Sequence, residues 1–568
     1  MNKVPQELID RISSYLQYED LKRTLFVSRK FQLAAEEQSG AFAKPTITAN
    51  PESAARFLNL YSGRRFQYLR CIKFRTSFPS LHWDEKTMNV FDDMPSCRYS
   101  LDDLKRMDQH FTNQIYLLFS TLAALEGCAT STQGHAVKSI QLTIYTPTRV
   151  VDQNCYCWHH TYISWRVHLL SPATLPEIMS VRSLKIKNGA NLNPLNGYRQ
   201  HPSVRKMDLR ILLGLTQKFP NLERLKCRVG GDEWPSDLCD NPGRHFTHDW
   251  EGPRRDSRRD FARTMDSITL PSLRYVDLDF MNPLGFSMYL DQRQAMPNLV
   301  MPSQHDPFSA SLRALSYPLR RMTLRVMADE TLFWPSGKTS APPVWPRLES
   351  LSVMFHTATP SGKWYFRGLF NEGAVGGFEV TDDHYPPLTQ TTEDEEMDDR
   401  YDYIKWDETE LAQYRLLPNE TPLVPLLTAF AKAAAYGMPS LRNAALWSPL
   451  KLSAKDVSAF YEDYDGSDLA KYPDRDLAWG IAYARPGEEA LTMYEKNNHC
   501  QVRQIWWMVG NRWEPDFELH DLFRRIGLHE HGEGLKEHWD DDQYGRGLVE
   551  QYVFEAFEER MGANTSEA

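Results

Sequence analysis

The sequence predicts an α/β chain of two unequal parts: three short helices within the first 45 residues, then a long repetitive region in which helices alternate with short strands. Three observations carry this. Apolar residues recur at helical period over positions 8–16. From residue 69 onward a Leu-x-x-apolar-x-apolar pattern returns repeatedly, several times behind a proline. The composition, 41% hydrophobic and 12% aromatic over 568 residues, is that of a folded chain rather than a disordered one. At ~150 residues per domain the length is about four domain-sized units. Such a chain buries an ample core without staples.

Charge and cysteine usage narrow the function classes. The balance of 65 Lys+Arg against 75 Asp+Glu leaves −10. This mild acidity argues against a protein that coats nucleic acid or an anionic membrane, while leaving room for a local basic patch. The eight cysteines are scattered, with no disulfide framework. The N-terminus lacks the apolar core of a signal peptide, and no run of about 18 apolar residues predicts a membrane span. The expectation is a soluble protein of a reducing compartment, cytoplasmic or nuclear.

Residues 4–37 read VPQELIDRISSYLQYEDLKRTLFVSRKFQLAAEE. Pro5 suits a first helical position, where its fixed φ is pre-set for the helix. Leu8, Ile9, Ile12, Tyr15 and Leu16 then form one stripe at helical spacing. Glu7 and Asp10 sit in the first turns, where the helix dipole favours negative charge. A second helix is expected from about Asp20, with Leu21, Leu25 and Phe26 inward. Ser28 caps a third, which carries Phe31, Ala34 and Ala35. Three helices in about 35 residues make a very small core that is marginal alone. The stripe is therefore expected to serve both the inside of the unit and a partner surface.

The order Val4-Pro5-x-Glu7-Leu8-x-x-x-Ile12-x-x-Tyr15-Leu16, Asp20-Leu21 and Val27-Ser28-Arg29-x-Phe31 resembles an F-box, in the N-terminal position usual for that motif. Val4 stands where a leading leucine is usual, and Phe31 stands where a tryptophan is common near the third helix. The resemblance implies docking onto a Skp-type adaptor, which bridges to a cullin scaffold, a RING protein and a ubiquitin-conjugating enzyme. The physics of such docking is apolar helix anchors in a complementary groove. The implied adaptor-binding residues are Val4, Pro5, Leu8, Ile9, Ile12, Leu16 and Leu21. A purely local helical core accounts for the same periodic stripe.

The clearest copies of the later repeat are led by Leu222, Leu273, Leu348 and Leu441, each two residues after a proline, as in Pro220-x-Leu222-x-x-Leu225-x-Cys227. Weaker copies begin at Leu69, Val137, Val181, Leu319 and Val502. The alternating apolar positions are a strand signal. Residues 205–219 and 423–437 read as helices preceding strands. Helix, proline break and strand in repetition make an α/β solenoid with strands stacked in one parallel sheet. This resembles an irregular leucine-rich-repeat region of the kind found in large fungal F-box proteins. Neighbouring leading positions lie 29 to 93 residues apart, against 20–29 in ordinary repeats, so each interval holds either a long insertion or a second unit. The expected organisation is an F-box domain at 1–45, a linker at 46–64, the solenoid at 65–560 with insertions at 231–262 and 376–410, and a disordered tail at 561–568.

Within the first insertion, Arg254, Arg255, Arg258 and Arg259 read either as a patch for an acidic or phosphorylated target segment or as part of a solvated loop. Asp256 and Asp260 among the arginines favour the loop. The acidic run at 391–410 reads as a solvated loop. Cys155, Cys157, His159 and His160 are zinc-compatible residue types, but Cys-x-Cys is an unusual spacing and no second ligand pair follows. His529, His531, Glu533 and His538 lack the helical His-Glu-x-x-His pattern, and Asp463, Asp465 and Asp468 lack a full calcium-loop spacing. There is no nucleophile elbow, phosphate-binding loop or dinucleotide fingerprint. Trp506 and Trp507 fall in an expected strand, as surface anchors or as core. Neither metal, cofactor nor catalytic residue is expected.

The functional expectation is a non-catalytic substrate receptor of a ubiquitin ligase. The N-terminal helices bind the adaptor, and the concave sheet face binds a protein target of unknown identity. An adaptor-binding scaffold without a degradation role and an enzyme with an unrecognised C-terminal site are the rival expectations.

Overall fold

The computed structural model describes residues 4–79, 100–133, 139–149, 162–189, 203–228, 250–281, 292–337, 342–368, 373–389, 415–453, 474–488, 500–510, 513–539 and 548–563, with residues 392 and 491. The chain opens with α1 (Gln6–Ser14), α2 (Tyr18–Thr24) and α3 (Arg29–Gln38). Pro5 takes the N-cap of α1 rather than its first turn. The Ser28 hydroxyl accepts a hydrogen bond from the Phe31 amide at 3.3 Å and so caps α3. Ile9, Leu21, Ala34 and Ala35 are buried between these helices. Phe26, expected inward, is 93% exposed. It lies beyond Thr24, where the chain has left α2 for a turn and the helical stripe no longer governs side-chain direction.

Residues 46–64 are not a linker. They form β1 (Thr46–Thr48) and α4 (Pro51–Tyr61). The Asn50 side-chain oxygen accepts from the Ser53 amide at 2.8 Å with Pro51 at the first helical position, a complete helix-start signal. Ala54, Phe57 and Tyr61 are its buried stripe.

Next in chain order are β2 (Cys71–Ser77), α5 (Leu101–Gln133), β3 (Ile140–Arg149), β4 (Tyr162–Val167), β5 (Val181–Lys187), β6 (Ser203–Met207), α6 (Arg210–Thr216) and β7 (Arg224–Arg228). They are followed by α7 (Glu251–Met265), β8 (Tyr275–Asp279), α8 (Pro307–Ser316), β9 (Arg321–Val326), β10 (Ser350–Phe355) and α9 (Glu420–Lys432). The last elements are β11 (Asn443–Ser453), β12 (Asp474–Ala484), β13 (Arg503–Met508), α10 (Phe517–Arg524), β14 (Leu535–His538), β15 (Val549–Glu550) and α11 (Gln551–Ala563). The fold is mixed α/β around one large, mostly parallel sheet, ordered β1-β2-β3-β5-β7-β8-β9-β10-β11-β12-β13-β14. From β1 to β11 every neighbouring pair is parallel; β12 runs antiparallel between β11 and β13.

The repeat positions sit in register. One rung runs through Ile72, Leu142, Leu184, Leu225, Val276, Met322, Leu351 and Ala444. A second runs through Phe74, Ile144, Ile186, Cys227, Leu278, Leu324, Val353 and Leu446. None of these is more than 3% exposed. The copy assigned to Val137 begins two residues too early, because Leu142 and Ile144 are the residues in register. The strands of the successive copies led by Val181 through Leu441, β5 to β11, are direct sheet neighbours, so their long intervals are insertions rather than hidden ladder strands. The interval before Val502 does hold one extra ladder strand, β12.

The helix expected over 205–219 begins only at Arg210. Residues up to Met207 pair as β6, and the Asp208 carboxylate accepts from the Arg210 amide at 2.9 Å at the changeover. The stretch 423–437 is helical, α9 passing into one π-helical turn at Ala433–Gly437. The insertion 231–262 contains the start of α7. The tail boundary also moves, because α11 continues to Ala563 with Met561 buried against the sheet.

That helix covers the sheet face opposite the two rungs. Trp447, Trp506, Ala445 and Ala482 pack there with Val553, Phe554 and Phe557 in a second apolar cluster. Trp447 stacks on Phe554 with ring centroids 5.3 Å apart. A β-carbon on Gly480 would come within 2.8 Å of the Phe554 ring, so the helix sits where β12 carries no side chain. Among the described residues no helix is long and apolar enough to cross a membrane.

Leu278→Ala removes a fully buried rung side chain from the middle of the sheet and is expected to cost about 2–5 kcal/mol of unfolding free energy. Thr323→Ala, on the other face of the adjacent strand, is expected to cost under about 1 kcal/mol. Urea denaturation of both variants checks the contrast.

Candidate protein-docking surfaces

The first surface lies on the N-terminal helices. Helical spacing puts Leu8 and Ile12 on one side of α1 and Ile9 and Ser13 on the other. Ile9 and Ser13 are buried, while Leu8 and Ile12 are 52% and 50% exposed. Val4 and Pro5 are exposed and Leu16 is half-buried. Leu21 is buried. Of the seven residues implied by the resemblance, Ile9 and Leu21 are thus enclosed by the chain itself and serve its core. Tyr15, Tyr18, Phe26 and Val27 are exposed large hydrophobic residues of the same short segment. Tyr15 was legible as part of the stripe; Phe26 was not, since it depends on where α2 stops.

This helical unit is tied together and tied down. The Lys30 ammonium donates to the Val4 carbonyl at 2.7 Å, and the Gln6 amide donates to the Lys30 carbonyl at 3.1 Å. Glu36, on α3 and 3% exposed, pairs with Arg64 at 3.1 Å and Arg65 at 2.7 Å from the segment just before β2. The Glu36 hydrogen bond raises the Arg65 pKa, and the Arg65 guanidinium also lies 4.3 Å over the Phe42 ring. Burial pushes the Tyr61 and Tyr68 phenols up.

The second surface is the sheet face opposite the rungs. Its residues also line up in register: Lys73, Thr143, Lys185, Lys226 and Asp277 form one row, and Arg75, Tyr145, Lys187, Arg228 and Asp279 the next. Arg75, Lys187, Arg224 and Arg228 are exposed. Lys226 pairs with Asp277. The Arg75 and Arg224 guanidinium groups lie over the Tyr145 and Tyr275 rings, at 4.4 and 4.8 Å. Burial, then the neighbouring Lys226 and Lys187 charges, lowers the Lys185 pKa.

The arginine cluster is neither a solvated loop nor an exposed phosphate patch. Arg254 and Arg258 are each 1% exposed on the inner side of α7. Arg258 pairs with Asp306 at 2.6 Å, donates to the Met327 carbonyl at 3.0 Å and lies 4.4 Å over the Phe308 ring. Asp306 also caps α8 through the Phe308 and Ser309 amides. Arg255 donates to the Val380 carbonyl at 2.6 Å and to the Tyr385 hydroxyl at 3.0 Å. The signal missed was the spacing: Arg254 and Arg258 share one helix face with apolar Phe261. His356 is fully buried near this knot. Burial, then the Arg254 charge, holds its pKa down to about 3. Its Nδ1 accepts from the Ala358 amide at 2.8 Å, so the neutral ring carries its proton on Nε2.

Trp506 and Trp507 are buried in β13. Among the described residues no three His, Cys, Asp or Glu side chains converge as a metal site, and this includes the His529–His538 cluster. The Cys155–His160 segment, Asp463–Asp468 and nearly all of the 391–410 acidic run lie outside the described residues. No protein-family model matches the chain, and no curated protein matches it.

Glu36→Gln is expected to weaken attachment of the helical unit by about 1–3 kcal/mol. Hydrogen exchange should accelerate in α1–α3 and stay unchanged in β7–β9. For His356, the unfolded side chain takes up a proton near pH 6.5 and the folded one near 3. Its stabilising effect is therefore complete above pH 6.5 and lost as pH falls toward 3. His356→Asn keeps a hydrogen-bond acceptor without titrating. Between pH 6.5 and 4.5 the wild type should lose about 2–3 kcal/mol more than this variant, as read by urea unfolding at each pH.

Proposed function

We propose that the chain is an F-box-type substrate receptor of a cullin–RING ubiquitin ligase. On this reading α1–α3 dock a Skp-type adaptor, and the long sheet, an irregular leucine-rich-repeat-like solenoid, holds a protein target. The observation that carries the proposal is the two-sidedness of α1. Ile9 is sealed inside the helical unit, while Leu8 and Ile12 on the adjoining, outward flank stand half exposed, as do Tyr15 and Tyr18. A helix with an apolar outer face loses free energy in water until a partner covers it, and helix-in-groove docking does that. The residues taken as adaptor anchors are Val4, Pro5, Leu8, Ile12 and Leu16, joined by Tyr15, Tyr18 and Phe26.

The solenoid reading is supported by strand order. Nine strands from β1 to β11 succeed one another as parallel neighbours in chain order, with β4 and β6 set aside. Connections run behind the sheet through helices such as α5, α7, α8 and α9, as in a stack of α/β units. The activity that follows is proximity. Holding a target near a charged ubiquitin-conjugating enzyme raises its effective concentration, and the chain supplies no nucleophile.

Leu8→Asp tests the docking assignment. Leu8 is exposed, so the substitution leaves the fold intact by circular dichroism. In the complex it buries an unpaired carboxylate, and adaptor affinity should fall by more than about 100-fold. Phe517→Asp, at an exposed position far along the chain, should bind as wild type does. Equal adaptor capture by wild type and Leu8→Asp, or no capture by wild type, overturns the proposal.

A further inference from the structure

The sheet face opposite the rungs is chemically divided along its length. Over β9–β12 it is covered by α11, and the chain's own choice of cover is acidic. Arg325 on β9 pairs with Glu558 at 3.1 Å and with Glu555 at 3.6 Å. Glu558 also accepts from the Ser352 hydroxyl at 2.7 Å and the Trp447 indole at 3.0 Å. Arg321, on the same strand, donates to the Met561 carbonyl at 3.2 Å.

Over β2–β7 the same face carries Lys73, Arg75, Lys185, Lys187, Arg224, Lys226 and Arg228. The strands β2, β3, β5 and β7 place no acid in these rows. The nearest in register are Asp277 and Asp279 on β8, and Asp277 is taken by Lys226. The strip contrasts with the edge of the sheet where the strands begin, along which acidic residues stand among the basic ones and pair with them. There Arg182 meets Glu223 at 2.6 Å and Arg320 meets Glu349 at 3.2 Å. In a chain of net charge −10, cations gathered on one face are a local departure. Holding like charges side by side costs free energy that an anionic partner returns.

We propose that the β2–β7 half of this face is the docking site for a carboxylate-rich segment of a partner protein, held by Lys73, Arg75, Lys185, Lys187 and Arg228. The inference rests on the reading of the sheet as the target-holding half of the molecule and adds the chemistry of what it holds. Glu555 and Glu558 show within this chain that carboxylates on a packed segment satisfy this face. Four strands at ~4.8 Å spacing span roughly 14 Å, which an extended segment of about five residues crosses. Arg75, braced on Tyr145, is oriented in advance, which lowers the ordering cost of binding.

The test uses the full chain without adaptor and a fluorescein-labelled Glu/Asp-rich peptide of about ten residues, read by anisotropy. The peptide should bind, and binding should weaken with added salt. The triple variant Arg75→Glu, Lys187→Glu, Arg228→Glu changes exposed positions only and should weaken binding at least about tenfold. Arg56→Glu, Lys105→Glu, Arg263→Glu makes the same net charge change away from the strip and should bind as wild type does. Absence of peptide binding overturns the proposal, as does equal loss in both triple variants. So does tighter binding of a single-stranded oligonucleotide, or binding that requires phosphoserine in place of Glu and Asp. Leu8→Asp should leave peptide binding unchanged, so a failure of adaptor docking and a failure of the acidic-segment site are read separately.

Discussion

Each parallel strand from β2 to β11 along the ladder contributes two inward apolar side chains at the same two heights, and this shared register is the constraint on which the rest of the structure depends. A slip of one residue in any strand would turn its rung residues to the opposite face. Leu225 and Cys227 would then meet solvent, and Lys226 would enter the core. The penalty for burying that ammonium is far larger than the stability of any single strand pair. The apolar rungs therefore fix which residues form the other face. The rows of lysine and arginine on β2, β5 and β7 are held side by side because the leucines, isoleucines and cysteine between them have nowhere else to go.

The two ends of the sheet are finished differently. At the C-terminal end the antiparallel strand β12 departs from the repeat and offers Gly480, onto which Phe554 descends. Trp447 and Trp506 complete an apolar seat for α11, and Glu558 answers the polar groups at its margin. At the N-terminal end β1 and α4 extend the sheet by one short unit. The three-helix unit is joined to it through a buried carboxylate, Glu36, shared by two arginines that reach toward the surface. One end is thus sealed by apolar contact and the other attached through charge.

The parts of this arrangement that were legible in the sequence are those governed by local periodicity. The leading residues of the copies from Val181 to Leu441 mark sheet neighbours, because a two-residue alternation preceded by a turn leaves little choice of conformation. What escaped were features set by tertiary context. Arg254 and Arg258 read as solvated because charged residues are rarely buried. Here Asp306, Met327 and Phe308 supply the compensation, and none of the three is adjacent in sequence. Asn50-Pro51 carried a helix start in plain view, yet the short intervening segment read as a linker. Of the residues proposed to meet an adaptor, periodicity identified the stripe but could not apportion it. Ile9 faces inward and Leu8 outward only because α3 lies on one side of α1.

That apportioning also bears on how the two proposed surfaces work together. The proposed adaptor face belongs to helices that lead directly into β1, and the basic strip begins on β2, the next strand of the sheet. On that reading a target segment on the strip would lie near the point where the adaptor joins, at the end of the sheet that α11 leaves uncovered. Had the same cations stood on β9–β12, the target would be displaced by the additional strand spacings of ~4.8 Å each and would compete with Glu555 and Glu558. Tethering accelerates a reaction only when the link matches the span between the sites it joins. A rigid, in-register sheet sets that span with far less slack than a flexible linker of similar contour, because each strand fixes the next through its hydrogen bonds and its two buried rungs. On the proposed reading, the rung residues at the core thus determine both what the outer face can bind and how far from the adaptor it is held.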